Sequence, residues 1–432
     1  MIFSLLYDVS LILLILLYSP KIAYDYFFKG KYQKSLKKRF GIDFPEIDKK
    51  NEPLIWFHAV SVGETRAIAA LAKALSADYT LLITSITETG YAESKRSLAF
   101  ADYHLFLPID LKFIIQPIVF KVKPDVVMVS ETDLWYQFLK AAKKEGSSIF
   151  LVNGKISERS LKRLNYFSFF ANKLYGLVDF FVVQSEAYKE RFLSLGVPKE
   201  KIGVSGNLKF DIEEKVLSQD ELKIWKERFG IDPRQKVITV GSTHENEETL
   251  VLDAIDQISG KHPDLKVILV PRHPERFSQI EKELQQRKAS FCVFSKSEKC
   301  SQNIVLVDAM GLLRYCYQIA DIAIVGGSFW PKVGGHNILE PLYTGVPVIF
   351  GSYMHSQPEL VHLVHAFSAG VQTDKEGLKD TLDVLLRDSE KCLEIKKSGL
   401  EMIASLQGST KRTLEILVDH FQISSQKKKI YF

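Results

Sequence analysis

Short apolar runs recur along most of this chain. Each stops at a cluster of glycine, small and polar residues, and a stretch with helical spacing follows. In the first half the runs fall at residues 54–57, 79–84, 104–107, 126–129, 148–152, 180–183 and 202–204. In the second half they fall at 237–240, 266–270, 291–294, 304–307, 321–325 and 346–350. Runs this short that are apolar throughout, rather than alternating, predict strands buried on both faces. Helical patterns between them predict crossover connections and therefore parallel sheets. Residues 213–235 separate the two series; they are highly charged and hold one expected helix at 219–229. The expected fold is α/β, with two doubly wound Rossmann-like domains at 21–212 and 236–432 and a linker at 213–235. A chain of 432 residues can bury two such cores. Facing each other across a cleft, the two would hold a nucleotide-linked donor on one side and an acceptor on the other. The end of the chain, with Lys427, Lys428 and Lys429, is expected as a frayed basic tail.

The amino terminus follows a different pattern. An apolar run at 9–18 has Ile2, Phe3, Leu5 and Leu6 ahead of it and is interrupted by Asp8. Seven basic side chains against two acids fall within residues 1–40, whereas the rest of the chain carries fifty of each sign. A neutral body argues against nucleic-acid binding. A cleavable signal would carry positive charge before the apolar run. Here the charge follows it, and Pro20-Lys21 stands where a cleavage site would be, so residues 1–20 are expected to be an uncleaved membrane anchor. The lysines would then stay on the cytoplasmic side against anionic lipid. The competing reading is a core helix packed on the enzyme. Four cysteines without metal-like or redox spacing fit a reduced, cytosolic body.

Polar residues follow the ends of several expected strands. His58, Ser61 and Glu64 follow one, Glu131 and Asp133 another, then Asn153 and Lys155, Gln184 and Glu186, and Lys209 and Asp211. Alone, each is an ordinary cap or turn residue; Glu64 reads equally as a first-turn acid behind a Ser61 cap. Together they predict a polar rim over one sheet, where a carboxylate can act as a base and a lysine can meet an anion. In the second half, Pro271-Arg272-His273-Pro274 sets an arginine and a histidine at a strand end. Gly326-Gly327-Ser328 is expected to let backbone amides approach a phosphate. Gly334-Gly335-His336-Asn337 precedes a helix expected from Ile338, whose start would hold an anion, with Glu340 one turn in to accept from a ribose diol. P-loop, nucleophile-elbow and His-Glu-x-x-His patterns are missing, which disfavours the corresponding hydrolases.

Several segments carry a resemblance to the Kdo (3-deoxy-D-manno-octulosonic acid) transferases, two-domain glycosyltransferases of the GT-B type. They are His-Ala-Val-Ser-Val-Gly-Glu at 58–64, Glu-Thr-Asp-Leu-Trp at 131–135, the segments 205–211, 241–245, 271–277 and 308–311, and Gly-Gly-His-Asn-Ile-Leu-Glu-Pro at 334–341. The resemblance covers nearly the whole chain. It implies CMP-Kdo as donor and the lipid A precursor (lipid IVA) as acceptor, with one or more Kdo units added. Inversion at the anomeric centre, no metal or other cofactor, and a place at the bacterial inner membrane with the catalytic domains in the cytoplasm are implied as well. It makes Glu64 the proton acceptor, and Glu131 and Lys209 the residues that stabilise the transition state. CMP would lie against Pro271, Arg272, Met310, Gly311, Leu312, Asn337, Ile338, Leu339 and Glu340. His58, Ser61, Gly63, His273, Gly326, Gly327, Ser328, Gly335 and His336 would support these sites. Leu312 departs from the family, which often has an acid there. A GT-B transferase or epimerase using a UDP-sugar, and a membrane-tethered binding protein without turnover, are the alternatives.

Overall fold

The computed structural model describes residues 2–30, 32–33, 35–50, 52–211 and 216–421. Lys31 and Lys34 of the basic segment, the opening of the expected linker at 213–215 and the expected basic tail lie outside the described residues. Strands β1 (Leu54–His58), β2 (Thr80–Ser85), β3 (Tyr103–Phe106), β4 (Val126–Ser130), β5 (Ser148–Gly154), β6 (Phe180–Val183) and β7 (Ile202–Val204) form one sheet. Their order is β3-β2-β1-β4-β5-β6-β7, with every pair parallel. β1, β2 and β4 are buried along their whole length, which is why their sequence does not alternate.

A second parallel sheet holds β8 (Lys236–Thr243), β9 (Leu265–Pro271), β10 (Phe291–Val293), β11 (Ile304–Leu306), β12 (Ile322–Val325), β13 (Val348–Phe350) and β14 (Val371–Gln372), in the order β10-β11-β9-β8-β12-β13-β14. β14 was not expected from the sequence. It is two half-buried residues long and carries no apolar run. Strand order reverses between β1 and β4 in the first sheet and between β8 and β12 in the second. At such a reversal the flanking crossovers lie on opposite faces, and the carboxyl ends of the two strands open a crevice.

The chain divides into two units: residues 1–212 with 406–432, and residues 213–405. The C-terminal boundary differs from the sequence expectation, because the helix Ser409–Phe421 returns to the first unit. Leu414 and Leu417 are buried in that core, and His420 stacks on Phe180 of β6 with centroids 3.8 Å apart. The charged stretch expected as a linker also contributes to a core. Its helix Gln219–Arg228 stacks Trp225 on Tyr315 at 4.9 Å and leads into fully buried Phe229, both within the second unit.

Candidate active site

In the first unit, β1 ends at His58 and the chain turns through Ser61 into the helix Val62–Ala67. Ser61 has extended backbone, and its hydroxyl oxygen accepts from Glu64 N–H while its O–H donates to Glu64 Oε1 at 2.7 Å. Val60 N–H donates to Glu64 Oε2 at 2.9 Å. The cap and the acid are therefore one device: the interactions that start the helix also fix the carboxylate. Only 7% of Glu64 is exposed. Burial raises its pKa above the usual carboxylate range, against the hydrogen bonds from Ser61 and Val60.

β4 ends at Ser130, and Glu131 follows with φ +61°, a conformation that is strained for a side chain with a Cβ. The turn aims its carboxylate at two amines. Lys209 Nζ donates to Oε1 at 2.7 Å and Lys155 Nζ pairs with Oε2 at 2.7 Å. Burial acts to raise the Glu131 pKa, but the two lysines together outweigh it and hold the carboxyl below its ordinary value. Asp133 is raised by burial and then by Glu131. The Glu131 and Glu64 sites are neighbours. A Cβ built on Gly63 would sit 3.9 Å from Lys209 Nζ, and the negative charges of Glu131 and Asp133 are felt at Glu64. The order reversal accounts for this meeting, because Glu64 follows β1 and Glu131 follows β4.

Other rim residues serve as scaffold. Asn153 Oδ1 accepts from Leu208 N–H at 3.0 Å, and Gln184 Nε2 donates to Asn153 O at 2.9 Å, so both hold the turn that carries Lys209. Asp211 accepts from Gly408 N–H at 2.8 Å and from Thr410 N–H, and so caps the returning C-terminal helix. His58 is not part of the rim. It is fully buried, its Nδ1 lies 3.1 Å from Thr84 Oγ1, its Nε2 has no partner, and burial pushes it down to about 4. It is a neutral core residue. Lys155, visible in the sequence only as one more polar residue after a strand, is a full partner of Glu131.

In the second unit, Glu247 overturns one expectation. Its carboxylate accepts from the backbone N–H groups of Gly327 (2.6 Å), Ser328 (3.0 Å), Phe329 (3.1 Å) and His244 (2.9 Å). Gly326 N–H donates to Gly241 O at 2.8 Å, and the amides of Gly327 and Ser328 are taken by an internal anion, so the loop does not form a phosphate cradle. The close approach needs glycine: a Cβ on Gly326 would lie 2.7 Å from Glu247 Oε2. Ser328 is fully buried, and its hydroxyl donates to Val325 O at 2.6 Å.

Around this loop three imidazoles gather. His244 Nε2 and His336 Nε2 are 2.7 Å apart with rings stacked, and His273 meets the His244 ring edge-on at 5.1 Å. Burial first, then the positive field of its neighbours including Arg272, lowers His336 to about 4 and lowers His244. One ring therefore donates and the other accepts. Arg272 stands exposed just past β9. Met310 and Gly311 are exposed on the loop after β11, the neighbour of β9, and Leu312 packs into an apolar cluster. Pro271, Ile338 and Leu339 are buried, so their side chains face the core and only their backbone can meet a ligand. The helix expected from Ile338 runs only from Leu339 to Tyr343, and Leu339 N–H is taken by Asn337 Oδ1 at 3.1 Å, so little of the expected anion site at a helix start is left. Asn337 Nδ2 reaches Glu340 Oε1 at 3.5 Å. Gly335 has φ +86°, and a Cβ there would lie 2.1 Å from Met354 Sδ. Among the described residues no group of three or more His, Cys, Asp or Glu side chains is placed to hold a metal ion.

Comparison with known proteins gives consistent matches along the chain. Residues 34–212 match the family described as 3-deoxy-D-manno-octulosonic-acid transferase, and residues 223–402 match glycosyl transferases group 1. The 3-deoxy-D-manno-octulosonic acid transferase of Chlamydia muridarum is 37% identical over 419 residues, 96% of each chain. That of Haemophilus influenzae is 30% identical, covering 91% of this chain and 92% of its own. Among solved structures, the UDP-GlcNAc 2-epimerase of Neisseria meningitidis superposes with a TM-score of 0.61 at 18% identity, covering 85% of this chain and all of that one, a likeness of fold.

Proposed function

This chain belongs to the Kdo transferase family of glycosyltransferases, and from that premise we propose that it moves Kdo from CMP-Kdo to the lipid A precursor with inversion at the anomeric carbon. The observation that carries the reading is the Glu64 carboxylate: fixed by Ser61 and Val60, raised by burial, and set beside the Glu131–Lys209–Lys155 cluster. A hydroxyl of the acceptor sugar gives its proton to Glu64, and its oxygen bonds to the anomeric carbon. The bond from that carbon to the phosphate oxygen breaks, and CMP leaves with the electron pair. One displacement inverts the centre and needs one base. CMP is a stable anion on departure, so no general acid is required.

Glu131 with two lysines carries a net positive charge of one, suited to the carboxylate that Kdo itself bears. Lys209 is the member nearest Glu64's turn. In the second unit, Arg272 offers the charge for the phosphate, with Asn337, Glu340 and the exposed backbone at Met310 and Gly311 to orient the nucleotide. His244 and His336, neutral and bonded to each other, act as positioning residues behind Arg272. The membrane-embedded acceptor gives the apolar amino-terminal helix its role at the cytoplasmic face of the inner membrane.

Replacing Glu64 by Gln tests the reading. Gln keeps one acceptor oxygen for Val60 N–H, and its amide nitrogen can donate to the Ser61 hydroxyl oxygen, so the fold stays. Transfer from CMP-Kdo, followed by the mass of the lipid product, is expected to fall at least about a hundredfold, with CMP affinity unchanged. Turnover near the wild-type rate removes Glu64 as base.

A further inference from the structure

The helix Ile2–Lys29 is pinned to the first unit by its opening turns. Buried Ser4 donates to Gln137 Oε1 at 2.9 Å, and Gln137 Nε2 donates to Ser4 O at 3.0 Å and to Asp8 Oδ1 at 2.8 Å. Lys112 N–H donates to the same Asp8 oxygen at 3.3 Å. Tyr7 O–H donates to Asp110 Oδ2 at 2.7 Å, and Asp110 is itself fixed by the amides of Gln137 and Phe138. Phe3 packs edge-on against Tyr136 at 4.8 Å and Phe169 at 5.6 Å. Asp8, which interrupts the apolar pattern in the sequence, is thus a docking residue.

This pin limits what the helix can do in a bilayer. Crossing would carry Asp8, Asp110 and Gln137, together with the folded helices that hold them, into hydrocarbon. Past the pin, the uncharged stretch is residues 9–20, and Lys21 follows. At 1.5 Å per residue that stretch reaches about 18 Å, against about 30 Å of hydrocarbon. Leu13, Leu14, Leu16, Leu17 and Tyr18 are nevertheless more than half exposed. Beside the pin, exposed Phe169, Tyr166 and Phe167 form an aromatic knuckle, with exposed Lys162, Arg163 and Lys173 around it. Lys21 and Lys29 on the helix and Lys37 and Lys38 after it add charge of the same sign.

We infer that this helix is an in-plane anchor: with the aromatic knuckle it lies in one anionic leaflet and does not cross the membrane. Apolar side chains enter the acyl boundary while lysines at the end of the helix and around the knuckle meet lipid phosphates. The inference deepens the membrane placement proposed above, and neither of its readouts depends on transfer activity.

Full-length Ile2→Cys and Phe28→Cys proteins, expressed in a Gram-negative host, are treated with a membrane-impermeant maleimide in spheroplasts and in inside-out vesicles, with the unsubstituted chain reporting its own cysteines. Both sites are expected to react in inside-out vesicles and neither in spheroplasts. Reaction of Ile2→Cys from the periplasmic side overturns the inference, as does protection of both sites in both preparations. In flotation, the purified protein is expected to rise with phosphatidylglycerol-containing vesicles and to be released by about 1 M salt. Leu13→Asp with Leu17→Asp is expected to weaken that binding at least about tenfold. Loss of flotation accompanied by a dimer that the same substitutions dissolve assigns the apolar face to a second copy and overturns it too.

Discussion

Burial lifts the Glu64 carboxyl above its ordinary range, and the consequence for pH is twofold. In its proposed role as base Glu64 must be ionised, so transfer is expected to rise as pH passes through that raised value, with the acid limb of kcat/KM above the usual carboxylate pKa. In the folded chain Glu64 keeps a proton that the unfolded chain has already released, so its contribution to stability falls across the same window as pH rises. Glu131 runs the opposite way. Its contribution is present above the ordinary carboxylate range and is lost as pH falls through its depressed value. A pH–rate profile checks the assignment: Asp133→Asn removes a negative charge that helps hold the Glu64 value up, so it is expected to move the limb to slightly lower pH while transfer is kept. Glu247 makes a second prediction at this scale. Glu247→Ala strands three buried backbone N–H groups and a half-buried fourth, and urea denaturation is expected to show a loss on the order of 3 kcal/mol. Glu64 and Glu131 were visible in the sequence as acids after apolar runs. Glu247 was not singled out, since a first-turn acid with three of its four partner amides about 80 residues away carries no local mark.

At the scale of elements, the apolar runs marked nearly every strand, because a strand buried on both faces can hold little else. The misjudged elements are those stabilised by distant partners. The helix Ser409–Phe421 has an ordinary amphipathic pattern, and nothing in that pattern says which core it joins. Asp211 and the sheet around Phe180 decide it. Asp211→Ala is expected to cost about 1 kcal/mol through the lost cap, read as a lower thermal midpoint with the catalytic cluster unchanged. The glycine loop at 326–328 shows the same limit from the other side. A glycine pair after a strand means that something approaches the backbone closely, and here the visitor is the chain's own carboxylate.

In the whole molecule two sheets of matching topology carry the candidate groups: Glu64 and the Glu131–Lys155–Lys209 cluster in the first unit, arginine and histidines in the second. A ligand that binds only the folded second unit raises its stability by about 2.7 kcal/mol at one hundred times its Kd. CMP is therefore expected to raise the thermal midpoint clearly and UDP much less, with Arg272→Ala abolishing the shift. A larger shift with UDP overturns the choice of donor. By itself the sequence determined the two parallel α/β sheets, because burial on both faces dictates apolar runs and helical crossovers dictate their direction. It also marked Glu64, Glu131 and Lys209 as residues at strand ends. Only the tertiary structure decided that these three meet, that Lys155 joins them, that His58 is core, that Glu247 fills the glycine loop and that the last helix returns to the first unit. Each of those outcomes depends on which strand lies beside which, and strand order is a property of contacts between residues far apart in the chain, which local pattern does not encode.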